Sequence, residues 1–213
     1  MSTVLLVVAK APVAGQAKTR LTPPASPEQA AGIAAAALLD TLDAVARTGQ
    51  PAVVALTGRL TDATRSADLR RALRRTTVIT QRGNTFAERL SNAHADVGRS
   101  VLQIGMDTPQ VTADLLADAS KRLSAVDAVL GPATDGGWWA LGLRDPTAAR
   151  ALRGVPMSRS DTGARTLDAL RHRGLNVGLL PELSDVDTIA DAVRVAAGCP
   201  DGRFARAVRA VAG

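Results

Sequence analysis

The chain is short of the residues that most readily announce a function. It has one cysteine, Cys199, and two histidines, His94 and His172, in 213 residues. A single thiol excludes an intrachain disulfide, and one thiol with two imidazoles cannot assemble a Cys/His zinc set. Any metal here is expected to be a hard cation on carboxylates. Aromatic residues make up 2% of the sequence, too few for the stacking platforms that hold single-stranded nucleic acid. No apolar run is expected to reach the roughly 18 residues that span a bilayer. The N-terminal Val4-Leu5-Leu6-Val7-Val8-Ala9 is too short, and lacks the basic leader, for a signal peptide. These absences predict a cytoplasmic protein with no membrane partner.

Positive charge is in excess, with a net charge of +6, and an excess of Lys and Arg attracts phosphate backbones. The arginines, however, are scattered through helical stretches such as Asp68-Leu69-Arg70-Arg71-Ala72-Leu73-Arg74-Arg75. That is the pattern of a solvated helix face, and no nucleic-acid partner is expected. With 46% hydrophobic residues the length suits one domain, residues 1–213, with a full core.

Apolar β-branched runs alternate with longer amphipathic segments, which predicts a mostly parallel mixed sheet covered by helices on both faces, a three-layer α/β/α sandwich. The expected strands are Val4–Ala9, Ala52–Leu56, Thr77–Thr80, Val101–Ile104, Ala128–Leu130, Trp138–Leu143 and Val177–Leu180. The first helix is marked by Ser26 as N-cap, Pro27 at its first position and Gln29 as capping-box partner. Its inward stripe is Ile33, Ala37, Leu38, Leu42 and Val45. A helix from near Thr112 should turn Leu115, Leu116, Ala119 and Leu123 inward, and one after Asp187-Thr188 should bury Ile189, Ala192, Val193 and Ala196. In an open sheet ligands gather outside the carboxyl ends of the strands. The loops after the first, fourth, fifth and seventh strands are therefore where chemistry should sit.

The loop after the first strand reads Ala9-Lys10-Ala11-Pro12-Val13-Ala14-Gly15-Gln16-Ala17-Lys18-Thr19-Arg20-Leu21. Gly15 permits positive φ and close backbone approach, and Lys10, Lys18 and Arg20 can neutralise a polyphosphate. An exposed turn with incidental lysines explains the same residues. Neither a Walker loop nor a G-x-G-x-x-G fingerprint is present.

Three acidic segments follow. Asp107 comes after Ile104-Gly105, and Pro109 ends the strand, so its carboxylate should project at the sheet's carboxyl edge. One such ligand can hold Mg²⁺ or Mn²⁺ against substrate phosphates; a turn-forming aspartate is the alternative. In Ser184-Asp185-Val186-Asp187-Thr188, Asp187 is a second metal candidate or a complement to a helix N-terminus, since Thr188 and Asp191 can form a cap. Asp135-Gly136-Gly137 is a tight turn between strands. Trp138 and Trp139 after it must point to opposite faces, one toward the core.

These segments together resemble the rSAM/selenodomain-associated transferase family, a domain of unknown function. Lys10, Pro12, Gly15, Lys18, Thr19, Arg20 and Leu21 match its opening K-x-P-x-x-G-x-x-K-T-R-L. Gly105 to Pro109 is similar to its G-x-D-[ST]-P motif. Gly131 to Leu143 is similar to its G-P-x-x-D-G-G-aromatic-aromatic-x-x-G-L block. Asp185-Val186-Asp187-Thr188 resembles a late D-x-D-T segment. Arg82 to Leu90 keeps Gly83 and Arg89 of a G-x-x-L-G-x-R segment, and Met157 to Asp161 keeps only Ser158 of a W-S-T motif.

The resemblance implies the GT-A-type fold of nucleotide-diphospho-sugar transferases. It implies a nucleotide held by Ala9, Lys10, Pro12, Gly15, Lys18, Arg20, Gly83 and Arg89, and Mg²⁺ or Mn²⁺ on Asp107 and Asp187. A small-molecule acceptor is expected near Asp135, Gly136, Gly137, Trp138 and Ser158, with Lys18 and Asp135 as catalytic groups. The implied activity is metal-dependent transfer from a nucleoside diphospho-sugar. Nucleotidyl transfer to a phosphorylated small molecule is the alternative, because Lys-Thr-Arg-Leu also resembles the opening of guanylyltransferases acting on phospholactate-type substrates. A nucleotide-binding protein without catalysis is a third possibility. His94 and His172, on expected helices without partners, are assigned no catalytic part.

Overall fold

A computed structural model describes residues 3–212. All seven expected strands form and join one sheet: β1 Val4–Lys10, β2 Ala52–Thr57, β3 Thr77–Thr80, β4 Val101–Gly105, β5 Ala128–Pro132, β6 Trp138–Leu143 and β7 Val177–Leu179. Their order is β3-β2-β1-β4-β6-β5-β7. Only β6 runs antiparallel to its neighbours. The carboxyl ends of six strands and the amino end of β6 therefore share one edge. The chain order reverses between β1 and β4, which lie side by side in parallel register, and such a switch point opens a crevice.

β1 is central and covered on both faces, which is why six of its seven residues are buried and unbroken in hydrophobicity. Leu5 and Val7 face one helical layer and Leu6 and Val8 the other. The first layer holds α1 Pro27–Arg47, α2 Ser66–Leu73 and α4 Ala113–Ala125. The second holds α3 Phe86–Val97, the 3-10 segment Pro146–Gly154 and α5 Thr162–Arg171. The expected three-layer sandwich is thus the observed one.

α1 begins as read from the sequence: Ser26 accepts from the Gln29 amide and Gln29 returns the bond, with Pro27 in the first turn. Its whole expected stripe is buried. By length and composition this 21-residue helix also meets the test for a membrane span, contrary to the expectation that no segment would, but 72% of the apolar window is buried inside the fold. Its alanines pack on two sides. Ile33, Ala36 and Ala37 meet α6 Ile189–Gly198 and α7 Arg203–Ala212 through Val195, Phe204 and Val208. On α6 the inward residue is Val195, whereas Val193 is 47% exposed; the helix turns Ala192, Val195 and Ala196 to α1, an i, i+3, i+4 face. On α4, Leu116, Ala119 and Leu123 are buried and Leu115 is half-buried.

Candidate functional site

The loop after β1 leaves the edge at Lys10 and folds over itself. Lys10 Nζ donates to the Gln16 carbonyl at 2.9 Å, and Gly15 turns with φ 72°. Pro12 is buried, and its carbonyl accepts from the Thr64 amide at 2.9 Å; it belongs to the loop's packing. Lys18 sits in the left-handed region, φ 49° and ψ 42°, and opens the short 3-10 turn Thr19–Leu21. Such a conformation in a residue other than glycine is strained and marks places where the fold aims a side chain.

Lys18 points across the switch point. Its ammonium lies 3.0 Å from Asp107 Oδ2 and 3.7 Å from Asp187 Oδ1, and it donates to the Val186 carbonyl. Arg20 holds the other oxygen of Asp187 at 2.7 Å. Asp107 stands just beyond β4, as its sequence context requires. Asp187 reaches the same point because the chain after β7 runs alongside the end of β5: Ala133 bridges Leu183, and the Thr134 amide donates to the Leu183 carbonyl at 3.0 Å. Thr188 then caps α6 in a reciprocal box with Asp191. The cap read from this segment is thus made by Thr188 and Asp191, and Asp187 pairs with Lys18 and Arg20 instead.

A cleft of about 650 Å³ opens along this edge, and a second cavity of about 240 Å³ lies under the first loop. Lys10, Arg20, Met106, Asp107 and Asp187 line both. The cations and carboxylates therefore stand where the two spaces meet. Ala9, Arg89, Asp135, Gly137, Trp138 and Ser158 line the larger cleft. Lys18 lines the smaller one. Pro12, Gly15, Gly83 and Gly136 line neither. Gly83 instead closes on α3, where a Cβ would come within 2.8 Å of Glu88 Cβ.

The two tryptophans divide as the strand geometry demands. Trp139 is 3% exposed in the first apolar cluster and donates through Nε1 to the Pro181 carbonyl at 2.9 Å, while Trp138 is half-buried against the second; both reach the wall of the cleft. Asp135 bonds the Gly137 amide at 2.8 Å within the turn between β5 and β6. Against this turn lies the loop Met157–Asp161, with Ser158 also left-handed at φ 60°. The fit is backbone on backbone: the Gly163 amide donates to the Gly136 carbonyl at 2.8 Å. A Cβ on Gly136 would fall 1.8 Å from the Ser160 carbonyl oxygen, and one on Gly163 2.4 Å from that of Gly137.

Three residues in the cleft were not singled out from the sequence. Asp185 is half-buried, and burial, then the charges of Asp135 and Asp187, push its carboxyl up to about 6. The i, i+2 spacing with Asp187 in extended backbone was a usable signal, since it puts both on one side. Gln81 donates its amide to the carbonyls of Ala9 and Ala55, both at 2.9 Å, tying β1 to β2 at the edge. Gln103 in the floor meets His94 Nε2 at 2.8 Å. His94 is fully buried, and burial lowers its pKa to about 4. His172, at the C-terminal cap of α5, bonds the Asp168 carbonyl at 2.7 Å.

Whether the residues suit a divalent metal can be tested on the oxygens themselves. Two carboxylates and one backbone carbonyl converge on a single ammonium, which is a ligand set for a hard cation. Among the described residues no three His, Cys, Asp or Glu side chains gather as a ready-made metal nest. The set fits a cation that keeps waters or phosphate oxygens among its ligands, as Mg²⁺ does with one or two protein carboxylates.

Sheet order, the single reversed strand and the site at the switch point define a GT-A-like nucleotide-diphospho-sugar transferase fold. The chain belongs to the family described as an uncharacterized protein conserved in bacteria (DUF2064), which matches residues 41–159. That stretch contains Asp107, Asp135 and Ser158 but neither the first loop nor Asp187. In structure the chain is similar to a protein of Desulfovibrio desulfuricans G20 named as a proposed nucleotide-diphospho-sugar transferase. Identity is 25%, the TM-score is 0.82, and 99% of each chain is covered. It is also similar to Rv0371c from Mycobacterium tuberculosis H37Rv in complex with manganese, at 21% identity and TM-score 0.56 over 92% of this chain and 98% of that one. The 4-diphosphocytidyl-2C-methyl-D-erythritol synthase of Anaerococcus prevotii matches at 10% identity and TM-score 0.60, over 93% and 99%. These last two share the fold alone. No curated protein matches the chain in sequence.

Proposed function

We propose that this protein is a metal-dependent transferase with a nucleotide donor, acting as a glycosyltransferase from a nucleoside diphospho-sugar to a small-molecule acceptor. The observation that carries the reading is the convergence of Asp107, Asp187, Lys18 and Arg20 where two cavities meet at the sheet's switch point. Asp107 and Asp187 would hold Mg²⁺ or Mn²⁺. Bound there, such an ion would supply charge neutralisation for the leaving diphosphate. The manganese complex of a protein with this fold is consistent with that assignment.

The chain's own groups divide the remaining work. Lys10, Lys18 and Arg20 surround the smaller cavity and neutralise donor phosphates as negative charge builds on the leaving group. Trp138, Phe86 and Met157 give the larger cleft an apolar wall that excludes water from bound sugar. Asp135, across the cleft, accepts the proton of the acceptor hydroxyl as its oxygen attacks the anomeric carbon. The bond to the donor phosphate oxygen breaks and nucleoside diphosphate leaves.

Nucleotidyl transfer is the second reading. It is favoured by the Lys18-Thr19-Arg20-Leu21 run and by a synthase of the diphosphocytidyl type on the same fold. The test is a thermal-shift and calorimetric screen of nucleoside di- and triphosphates and nucleotide sugars, with and without Mg²⁺ or Mn²⁺, followed by product analysis. Released nucleoside diphosphate supports glycosyl transfer, and released pyrophosphate supports nucleotidyl transfer. Nucleotide binding and turnover left intact in Asp107→Ala would sink both.

A further inference from the structure

The cation already seated among the oxygens has its own consequence. Lys18 has three N–H bonds, and three oxygens surround its nitrogen: the Val186 carbonyl, Asp107 Oδ2 at 3.0 Å and Asp187 Oδ1 at 3.7 Å. Its side chain is 12% exposed, against 73% for Arg20. The left-handed backbone at Lys18 sends the arm into this position. The ammonium is thus a built contact with the very oxygens that suit a metal.

We propose that the Lys18 ammonium is the resident counter-ion of the Asp107–Asp187 site, and that a divalent metal enters efficiently only as nucleotide phosphate draws the ammonium away. The inference rests on the metal-site reading above and adds an order of events to it. Charge decides the matter. Asp107 and Asp187 carry two negative charges and Lys18 and Arg20 two positive ones, so these four contacting side chains balance one another, with the carboxyl of Asp185 close by. A dication placed on the same oxygens would face an ammonium within contact distance, and like charges in a partly buried place repel strongly. Arg20 can stay, because it holds the second oxygen of Asp187 from the solvent side. Lys18 cannot keep its present contacts. The 240 Å³ cavity that it lines, together with Lys10, gives phosphate a place to receive it.

Metal and nucleotide must then assist each other's binding, and linkage makes the effect reciprocal. Lysine 18 acts here as a positioning residue, with a signature that simple loss of a phosphate contact does not produce. Removing it should tighten metal binding to the free protein.

The test measures Mn²⁺ binding by the electron-spin-resonance signal of the free ion, for wild type, Lys18→Met and Lys18→Gln, with Mn²⁺ alone and with a nucleoside diphosphate. The folded Lys18 variants should bind Mn²⁺ alone about tenfold more tightly than wild type, within the range usual for coupled sites. The diphosphate should raise wild-type affinity by a larger factor than it raises theirs. Equal or weaker binding of Mn²⁺ alone by the variants overturns the proposal. Should neither variant fold, the ¹⁵N-lysine spectrum of wild type decides. Its Lys18 ammonium signal should be protected from solvent exchange in the free protein and lose protection when Mg²⁺ and diphosphate are added together; protection that persists overturns the proposal. Asp107→Asn separates the two layers. Mn²⁺ binding that needs Asp107 but ignores Lys18 removes this inference alone, and binding that ignores Asp107 removes the metal reading with it.

Discussion

Neutral histidine in a dry interior makes the fold sensitive to acid. His94 has 0% exposure, and its ring meets Gln103, which forms part of the cleft floor. With its pKa lowered from 6.5 to about 4 by burial, the folded protein declines a proton that the unfolded chain accepts. The unfolded state binds more protons between these values, so stability is fully present above pH 6.5 and is lost as pH falls toward 4. The loss should approach about 3 kcal/mol. Urea unfolding at pH 7 and pH 4.5 checks this, and His94→Gln should flatten the dependence. Asp135 presents a different case, since it is exposed to the cleft and its expected part is in proton transfer. Asp135→Asn should lower kcat by about 10²–10⁴-fold while leaving nucleotide affinity within a factor of about two in calorimetry, a split that a purely structural turn residue would not give.

At the level of elements, the turn between β5 and β6 and the loop before α5 act as one clamp. Gly136 and Gly163 leave no room for a Cβ against the facing carbonyl oxygens, and Gly136 also needs φ 86°. Gly163→Ala should cost about 2–3 kcal/mol and raise the KM for acceptor more than for donor. Denaturant midpoints and steady-state kinetics measure the two effects. The elements themselves were legible: each strand appeared within two residues of its expected bounds, because unbroken apolar runs and the Ser26-Pro27-Gln29 cap are local signals. The partners of the site were less so. Asp107 and Lys10 were placed by strand ends, but nothing local in Asp185 shows that Asp135 lies near it. Gln81 shows no pattern at all, since its meaning lies in the carbonyls of two other strands. Pro12, Gly15 and Gly83 fell in matching motifs yet line neither cavity themselves, because a motif records the loop's conformation together with its contacts.

For the molecule as a whole, a ligand that joins the two cavities should register as global stabilisation. At about 100 times its Kd a donor nucleotide adds about 2.7 kcal/mol, which for a chain of 213 residues raises Tm by about 5–10 °C. Differential scanning calorimetry with metal and nucleotide together, against each alone, gives the number. The site itself is assembled from opposite ends of the chain: the bond from Lys18 to Val186 spans 168 residues, and that from Arg20 to Asp187 spans 167. Contacts this distant in sequence form late, because the intervening loop must close before they contribute. On the ribosome, all seven strands emerge before Asp187 does. Nucleotide binding should therefore return in the slowest phase of refolding, after the sheet's own spectroscopic signal, and a nascent chain halted before residue 184 leaves Lys18 with Asp107 alone and Arg20 without its carboxylate.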